Sequence, residues 1–261
     1  MSPRRIEIQP AREAGRISAF VKKVVKDASA KGVVVGLSGG IDSAVVGALC
    51  IRALGKGQVL ALLMPSDHTP EVDIRDAQGM ADSWGIRAVK IPISKIVELI
   101  TATAGVEGTK IAKANVEARV RMILLYYYAN SLGYLVAGTG DRSEAALGYF
   151  TKWGDGGVDF LPIVHLFKTQ VRQLGAYLGI PKSVVEKPAS PQLWAGHRAS
   201  DEIPADYDEL DVVLLELFDL KATKKAAAAR AGVPPAVSDK VMQMQRKSAH
   251  KRVMPPSLPP N

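Results

Sequence analysis

The chain has one cysteine, Cys50, in 261 residues. That excludes an internal disulfide and any multi-cysteine metal site. No apolar run is long enough to span a bilayer. The start, Met1-Ser-Pro-Arg-Arg, is followed by polar and charged residues and carries no signal-peptide apolar stretch. These absences fit a cytoplasmic protein. Aromatics are only 6% of residues, and no dense basic tract is interleaved with them. That disfavours a nucleic-acid reader, although the formal charge is +8. The excess of lysine and arginine suits either solubility or a small polyanionic ligand such as a nucleotide.

What is present is an alternation of strands and helices. Ile17, Phe20, Val21, Val24 and Val25 recur at helical spacing within residues 11–30. Gly32-Val33-Val34-Val35-Gly36-Leu37 is a β-branched run without polar alternation, the pattern of a strand buried on both faces. A helix is predicted over Ala44–Leu54, a strand over Val59–Met64, and a helix from Pro70 to about Trp84 with Thr69 as its cap. A third strand is predicted at Ala88–Ile93, then helices at 94–103 and 110–131 and a short strand at Leu135–Ala137. The 149–160 stretch reads as a glycine-rich loop, Lys168–Leu178 as a helix. The stretch 187–205, with Pro188, Pro191 and Pro204, reads as a mobile segment. Two or three helices follow, and the tail 255–261 reads as frayed. The expected fold is α/β, a doubly wound, mostly parallel sheet of about five strands flanked by helices, in a single domain over residues 1–261.

Ligands in such folds sit beyond the carboxyl ends of the strands. The string Ser38-Gly39-Gly40-Ile41-Asp42-Ser43 stands there, between a buried strand and a helix. Glycines let the backbone approach an anion and aim N–H groups at it, and the helix start adds positive potential. Ser38 and Ser43 supply hydroxyl donors. Asp42 suits an anion site only if a divalent cation bridges it to phosphates. A bare Gly-Gly pair is common in turns, whereas the full string after a buried strand is far more specific. It lacks the Gly-Lys-Ser/Thr ending of a Walker A loop. It resembles the PP-loop of the ATP pyrophosphatase superfamily, whose fold is of the adenine nucleotide alpha hydrolase type and whose members transfer AMP from ATP to an oxygen.

Later segments narrow the resemblance. Asn115-Val-Glu-Ala-Arg119-Val-Arg121, Gly138-Thr139-Gly140-Asp141-Arg142-Ser143-Glu144, Gly148 through Asp159 and His250-Lys251-Arg252 occur in one order. Over roughly 15–255 the chain is similar to the NAD synthetases, in their short ammonia-dependent form, since no glutaminase domain accompanies it. The resemblance implies ATP binding by Gly36, Leu37, Ser38, Gly39, Gly40, Ile41, Asp42, Ser43, Thr139, Lys168 and Ser190. It implies deamido-NAD binding by Arg119, Lys152, Asp159, His250 and Lys251, and Mg²⁺ held by Asp42 and Glu144. It also implies a homodimer, with ATP, deamido-NAD and ammonia as its substrates.

Residue chemistry adds some roles and leaves some open. Arg119 shares a helix face with Asn115, while Arg121 points nearly the other way and reads as a surface or interface ion pair. Glu144 suits either a metal ligand or a first-turn helix acid. His250-Lys251-Arg252 also reads as a solvated basic helix end. Asp155 is the candidate to bind or deprotonate ammonium, and Lys168 the candidate to neutralise phosphate charge. The match is loose at Pro188–Glu202, which bears on Ser190. Two rivals stand beside this expectation. A tRNA-modifying PP-loop enzyme generally needs paired cysteines, which a lone Cys50 does not provide. A non-enzymatic nucleotide-binding module gains little from Asp42, Glu144, Asp155 and Asp159.

Overall fold

The computed structural model describes residues 6–190, 194, 199 and 202–258. Much of the 187–205 stretch expected to be mobile, and the last three residues of the tail expected to be frayed, lie outside the described residues. The elements run α1 (Pro10–Asp27), β1 (Val33–Gly36), α2 (Ile41–Leu54), β2 (Val59–Leu63), α3 (Glu71–Trp84), β3 (Arg87–Lys90), α4 (Ser94–Thr103), α5 (Lys110–Leu132) and β4 (Leu135–Ala137). They continue with α6 (Arg142–Leu147), α7 (Lys168–Tyr177), α8 (Lys182–Val185), α9 (Tyr207–Leu214), α10 (Lys224–Ala231) and α11 (Pro235–Lys247).

The strands form one parallel sheet in the order β3-β2-β1-β4. Alternation explains its two-sided burial. Val33, Val35, Ala61 and Leu63 face a cluster built with α1, α2, α3 and α7, while Val34, Leu60, Leu62 and Val136 face α4 and α5. The sheet is therefore doubly wound. About five strands were expected and four are described; where a fifth would pair beside β4 there is a single parallel bridge, Ala137 to Phe160. A third cluster joins α9, α10 and α11 to Leu147 and Phe167. Helix α7 packs on both α2 and α9 and so ties this cluster to the sheet.

Local expectations fail in instructive places. Thr69 does not cap α3: its hydroxyl accepts from Ser66 N at 3.0 Å, and Pro70 precedes the first turn. Strand β3 stops at Lys90, two residues before Pro92, which has no N–H for a ladder. Helix α2 begins at Ile41, not Ala44, so Asp42 and Ser43 stand in its first turn.

Candidate active site

Beyond the carboxyl ends of β1, β2 and β4 lies a cavity of about 460 Å³. Its floor is the loop after β1. Gly39 has φ +83°, and an added Cβ would sit 2.2 Å from the carbonyl oxygen of Asp73. Only glycine fits this turn, because the first turn of α3 backs directly onto it. Gly40 caps α2 without any side-chain bond, leaving that helix start open to a ligand. The two serines are spent inside the loop. Ser43 Oγ donates to Gly40 O at 3.0 Å, Ser38 N donates to Ser43 Oγ at 3.2 Å, and the two hydroxyls are 3.2 Å apart. They shape the turn more than they face the cavity.

The strongest electrostatic feature is Lys168, at the first position of α7 and only 1% exposed. Its Nζ donates to Asp42 Oδ2 at 2.6 Å and to Glu144 Oε1 at 3.0 Å. Asp141 Oδ2 lies 3.1 Å away, off the hydrogen-bond direction. Burial acts to lower the lysine pKa, but Asp141, Asp42 and Glu144 together hold it well above 10.5. Burial raises Asp141 strongly and Glu144 less, in both cases against the pull of Lys168. Three carboxylates thus converge on one ammonium, and Asp42 Oδ1 is buried with no hydrogen-bond partner. Hard oxygens with a free acceptor suit Mg²⁺ shared with substrate phosphates. Among the described residues no group of three or more His, Cys, Asp or Glu side chains could hold a metal ion by itself.

Asp141 is a site residue that carries no catalytic signal in the sequence. It N-caps α6, accepting from Glu144 N at 2.8 Å, while Glu144 Oε2 accepts from Asp141 N at 3.3 Å. This capping box fixes the orientation of Glu144 towards Lys168. The Asp-x-x-Glu spacing was its only signal, and it signals a cap. Asp211 is a second buried carboxylate without a sequence signal. It accepts from Thr169 N at 2.9 Å and Ser143 Oγ at 2.5 Å, joining the starts of α6 and α7 to α9.

Asp155 stands on the opposite wall. Thr151 N donates to its Oδ1 at 2.8 Å, and Thr151 Oγ1 is bonded to Asn115 on α5 at 2.7 Å. Desolvation raises its pKa, opposed by the Thr151 bond and by the charges of Lys251 and Arg121. Asp155 is nonetheless an exposed residue on the cavity lining, where solvent screening tempers that shift. Lys251 Nζ donates to Gly148 O at 2.8 Å and Phe150 O at 2.7 Å. Desolvation lowers its pKa, with Asp155 opposing.

Thirteen of the residues singled out in the sequence meet in this cavity: Gly36, Leu37, Ser38, Gly40, Ile41, Asp42, Ser43, Thr139, Glu144, Asp155, Lys168, Ser190 and Lys251. Gly39 lies behind it. Arg119, Lys152, Asp159 and His250 lie outside. Arg119 donates to Lys152 O at 3.2 Å and Lys152 Nζ donates to His250 O at 2.8 Å, forming an outer rim. Asp159 accepts from Val136 N at 2.7 Å and Tyr126 Oη at 3.1 Å, which helps to raise the tyrosine pKa to about 12, after burial. The two arginines do point apart, but Arg121 is the one in the cavity wall. Its Nε donates to Met64 O at 3.1 Å and it pairs with Glu117 at 3.4 Å. The reading of Arg121 as a surface or interface pair is thus corrected: α5 turns the Ala118–Arg121 side inward against β2.

The NAD synthase family model matches residues 13–255. A relative from Hyperthermus butylicus, named NH3-dependent NAD+ synthetase, is 49% identical over 95% of this chain and 90% of its own length. One of the same name from Archaeoglobus fulgidus is 48% identical over 92% of this chain and 94% of its own. Among solved structures, NMN synthetase from Francisella tularensis superposes with TM-score 0.85 at 34% identity, covering 98% of this chain and all (100%) of that one. NH3-dependent NAD synthetase from Campylobacter jejuni gives TM-score 0.82 at 30% identity, covering 97% and 100%. The family model and relatives at 30% identity or more thus match nearly the whole length, and the chain belongs to the NAD synthase family.

Proposed function

We propose that the chain makes NAD+ from deamido-NAD, ATP and ammonia as an ammonia-dependent NAD+ synthetase, a ligase forming a C–N bond. The observation that carries this reading is that one cavity joins the loop after β1, the Lys168 carboxylate cluster and Asp155. A carboxylate is a poor electrophile until one oxygen becomes a leaving group. The nicotinate carboxylate oxygen attacks the α-phosphorus of ATP, pyrophosphate departs, and an acyl-adenylate forms. Ammonia then attacks the acyl carbon, and AMP departs with the bridging oxygen.

The chain contributes positioning and fixed charge. Backbone N–H groups of Ile41 to Ser43, at the open start of α2, hold the departing pyrophosphate. Thr139 and Ser190 contact the nucleotide. Lys168, pinned at the junction of α7 and α6, neutralises charge growing on the phosphates. Asp42 and Glu144 would hold Mg²⁺, which supplies Lewis-acid charge neutralisation when bound. Asp155 takes a proton from ammonium; its upward-shifted pKa makes it a better base than an ordinary carboxylate. Lys251 bridges the cavity and the outer rim. Arg119, Lys152, Asp159 and His250 take the distal part of deamido-NAD, which is too long for the inner cavity alone.

Exposed apolar side chains on α4 and α5, among them Leu99, Ile123 and Tyr127, support a homodimer joined through this face. Three linked hydrophobic clusters support one domain over 1–261, and the free, buried Cys50 suits the cytoplasm. No helix among the described residues is long and apolar enough to cross a membrane. The test is turnover with ATP, Mg²⁺ and ammonium, offering deamido-NAD or nicotinate mononucleotide. AMP and NAD should form in equal amounts with deamido-NAD. Preference for the mononucleotide would move the chain to the activity named for the Francisella structure.

A further inference from the structure

Lys187 follows α8 and carries no motif of its own, yet it reaches back across the fold to the floor of the cavity. Its Nζ donates to Asp73 Oδ1 at 2.6 Å, to Asp76 Oδ2 at 2.5 Å and to Gly39 O at 3.1 Å. Asp73 and Asp76 are three residues apart on α3 and so share a face. The lysine side chain is 23% exposed and Asp73 only 6%, so the contact is shielded and charge-assisted, stronger than a surface pair. Lys187 also lines the cavity that holds Asp42 and Lys168.

The bond to Gly39 O decides what the loop presents. A peptide next to glycine flips at low cost, because both signs of φ are open to it. Flipped, the Gly39 carbonyl would aim its partial negative charge at the anion site. Held by Lys187 it points away, and Gly40 N, on the other side of that peptide, turns into the loop to donate to Ser38 Oγ at 3.2 Å. Asp73 and Asp76 in turn fix Lys187, so its charge is bound to the scaffold before any nucleotide arrives.

We infer that Lys187 is a positioning residue for ATP: clamped by Asp73 and Asp76, it locks the Gly39–Gly40 peptide in the orientation that accepts pyrophosphate. This rests on the proposed ATP-dependent reaction. It assigns Lys187 to the affinity for ATP alone, since nothing it touches belongs to the Asp155 wall or the outer rim.

The experiment compares wild type with Lys187→Met, Lys187→Arg and Asp76→Asn. Calorimetric titration with Mg·ATP and with Mg·pyrophosphate is paired with steady-state kinetics in both substrates. Loss of one charge-assisted bond predicts that Lys187→Met weakens both titrations about tenfold, with the KM for deamido-NAD unchanged. Lys187→Arg, which keeps the charge and can fork between two carboxylates, should recover most of the affinity. Asp76→Asn should fall between Met and wild type. Unchanged ATP and pyrophosphate affinity in Lys187→Met overturns the inference. So does an equal loss for both substrates with Arg no better than Met, the mark of a general structural defect. Wild-type turnover of deamido-NAD reads the proposed function separately, so failure there is distinct from failure of the Lys187 comparison.

Discussion

Lys168 and Asp155 divide the chemistry between two walls of one cavity, and each makes a separate claim. Replacing Lys168 by Met leaves Asp141 and Glu144 without their counter-ion. Breaking a buried pair from one side costs about 3–5 kcal/mol, to be read by urea denaturation. The raised lysine pKa adds stability that is complete below 10.5 and is lost only as pH rises through the still higher folded value. The loss in Lys168→Met should therefore be the same at any moderate pH where the carboxylates stay ionised. Asp155 follows the same sign in a lower pH window. Its folded pKa lies above 3.8, so its contribution is fully present below that value and is lost as pH rises through the folded pKa. Asp155→Asn should thus raise the Tm at neutral pH, by an amount that shrinks as the pH falls towards 3.8. The same variant should still release pyrophosphate on addition of deamido-NAD and form almost no NAD. A normal amidation rate in Asp155→Asn would remove it from the proton path. For Asp42→Ala, pyrophosphate release at ordinary Mg²⁺ should disappear; unchanged release would take Asp42 out of the metal site.

Single elements show what the sequence made legible and what it did not. The buried strand Val33–Val35, the glycine-rich turn after it and α5 between Thr109 and Gly133 were readable, because burial on both faces, turn chemistry and caps are local properties. The turn has a direct test. Gly39→Ala must place a Cβ 2.2 Å from Asp73 O at φ +83°. It should cost about 1–2 kcal/mol from the backbone alone, more from the clash, and abolish ATP binding; wild-type affinity in that variant would show that the loop is not the anion site. What the sequence hid is tertiary. Asp141 looks like an ordinary cap until α7 brings Lys168 to it. Arg119 reads as the site arginine and Arg121 as a surface or interface pair until the sheet sets which side of α5 faces in. Lys187 meets Asp73 across 114 positions. The C-terminal turn is similar. Arg252 donates to Ala145 O at 3.1 Å and to Ser248 Oγ at 2.9 Å, holding Lys251 against the glycine-rich loop. Arg252→Ala should raise the KM for deamido-NAD and spare that for ATP; equal effects on both would contradict this division.

The whole molecule carries a formal charge of +8, while both nucleotide substrates are polyanions. Such a field speeds capture and weakens with salt. kcat/KM for deamido-NAD should therefore fall as ionic strength rises, and indifference to salt would leave the charge a matter of solubility. The apolar face of α4 and α5 belongs to this scale too. Leu99→Asp with Tyr127→Glu should convert a dimer to monomers in sedimentation; a wild type that is already monomeric would overturn the dimer. The most direct measurement follows oxygen. Deamido-NAD labelled with ¹⁸O in both carboxylate oxygens is turned over with ATP and ammonium, and the products are weighed by mass spectrometry. Acyl-adenylate chemistry leaves one ¹⁸O in AMP, one in the amide of NAD and none in pyrophosphate. Unlabelled AMP, or ADP with labelled orthophosphate, would contradict the proposed reaction.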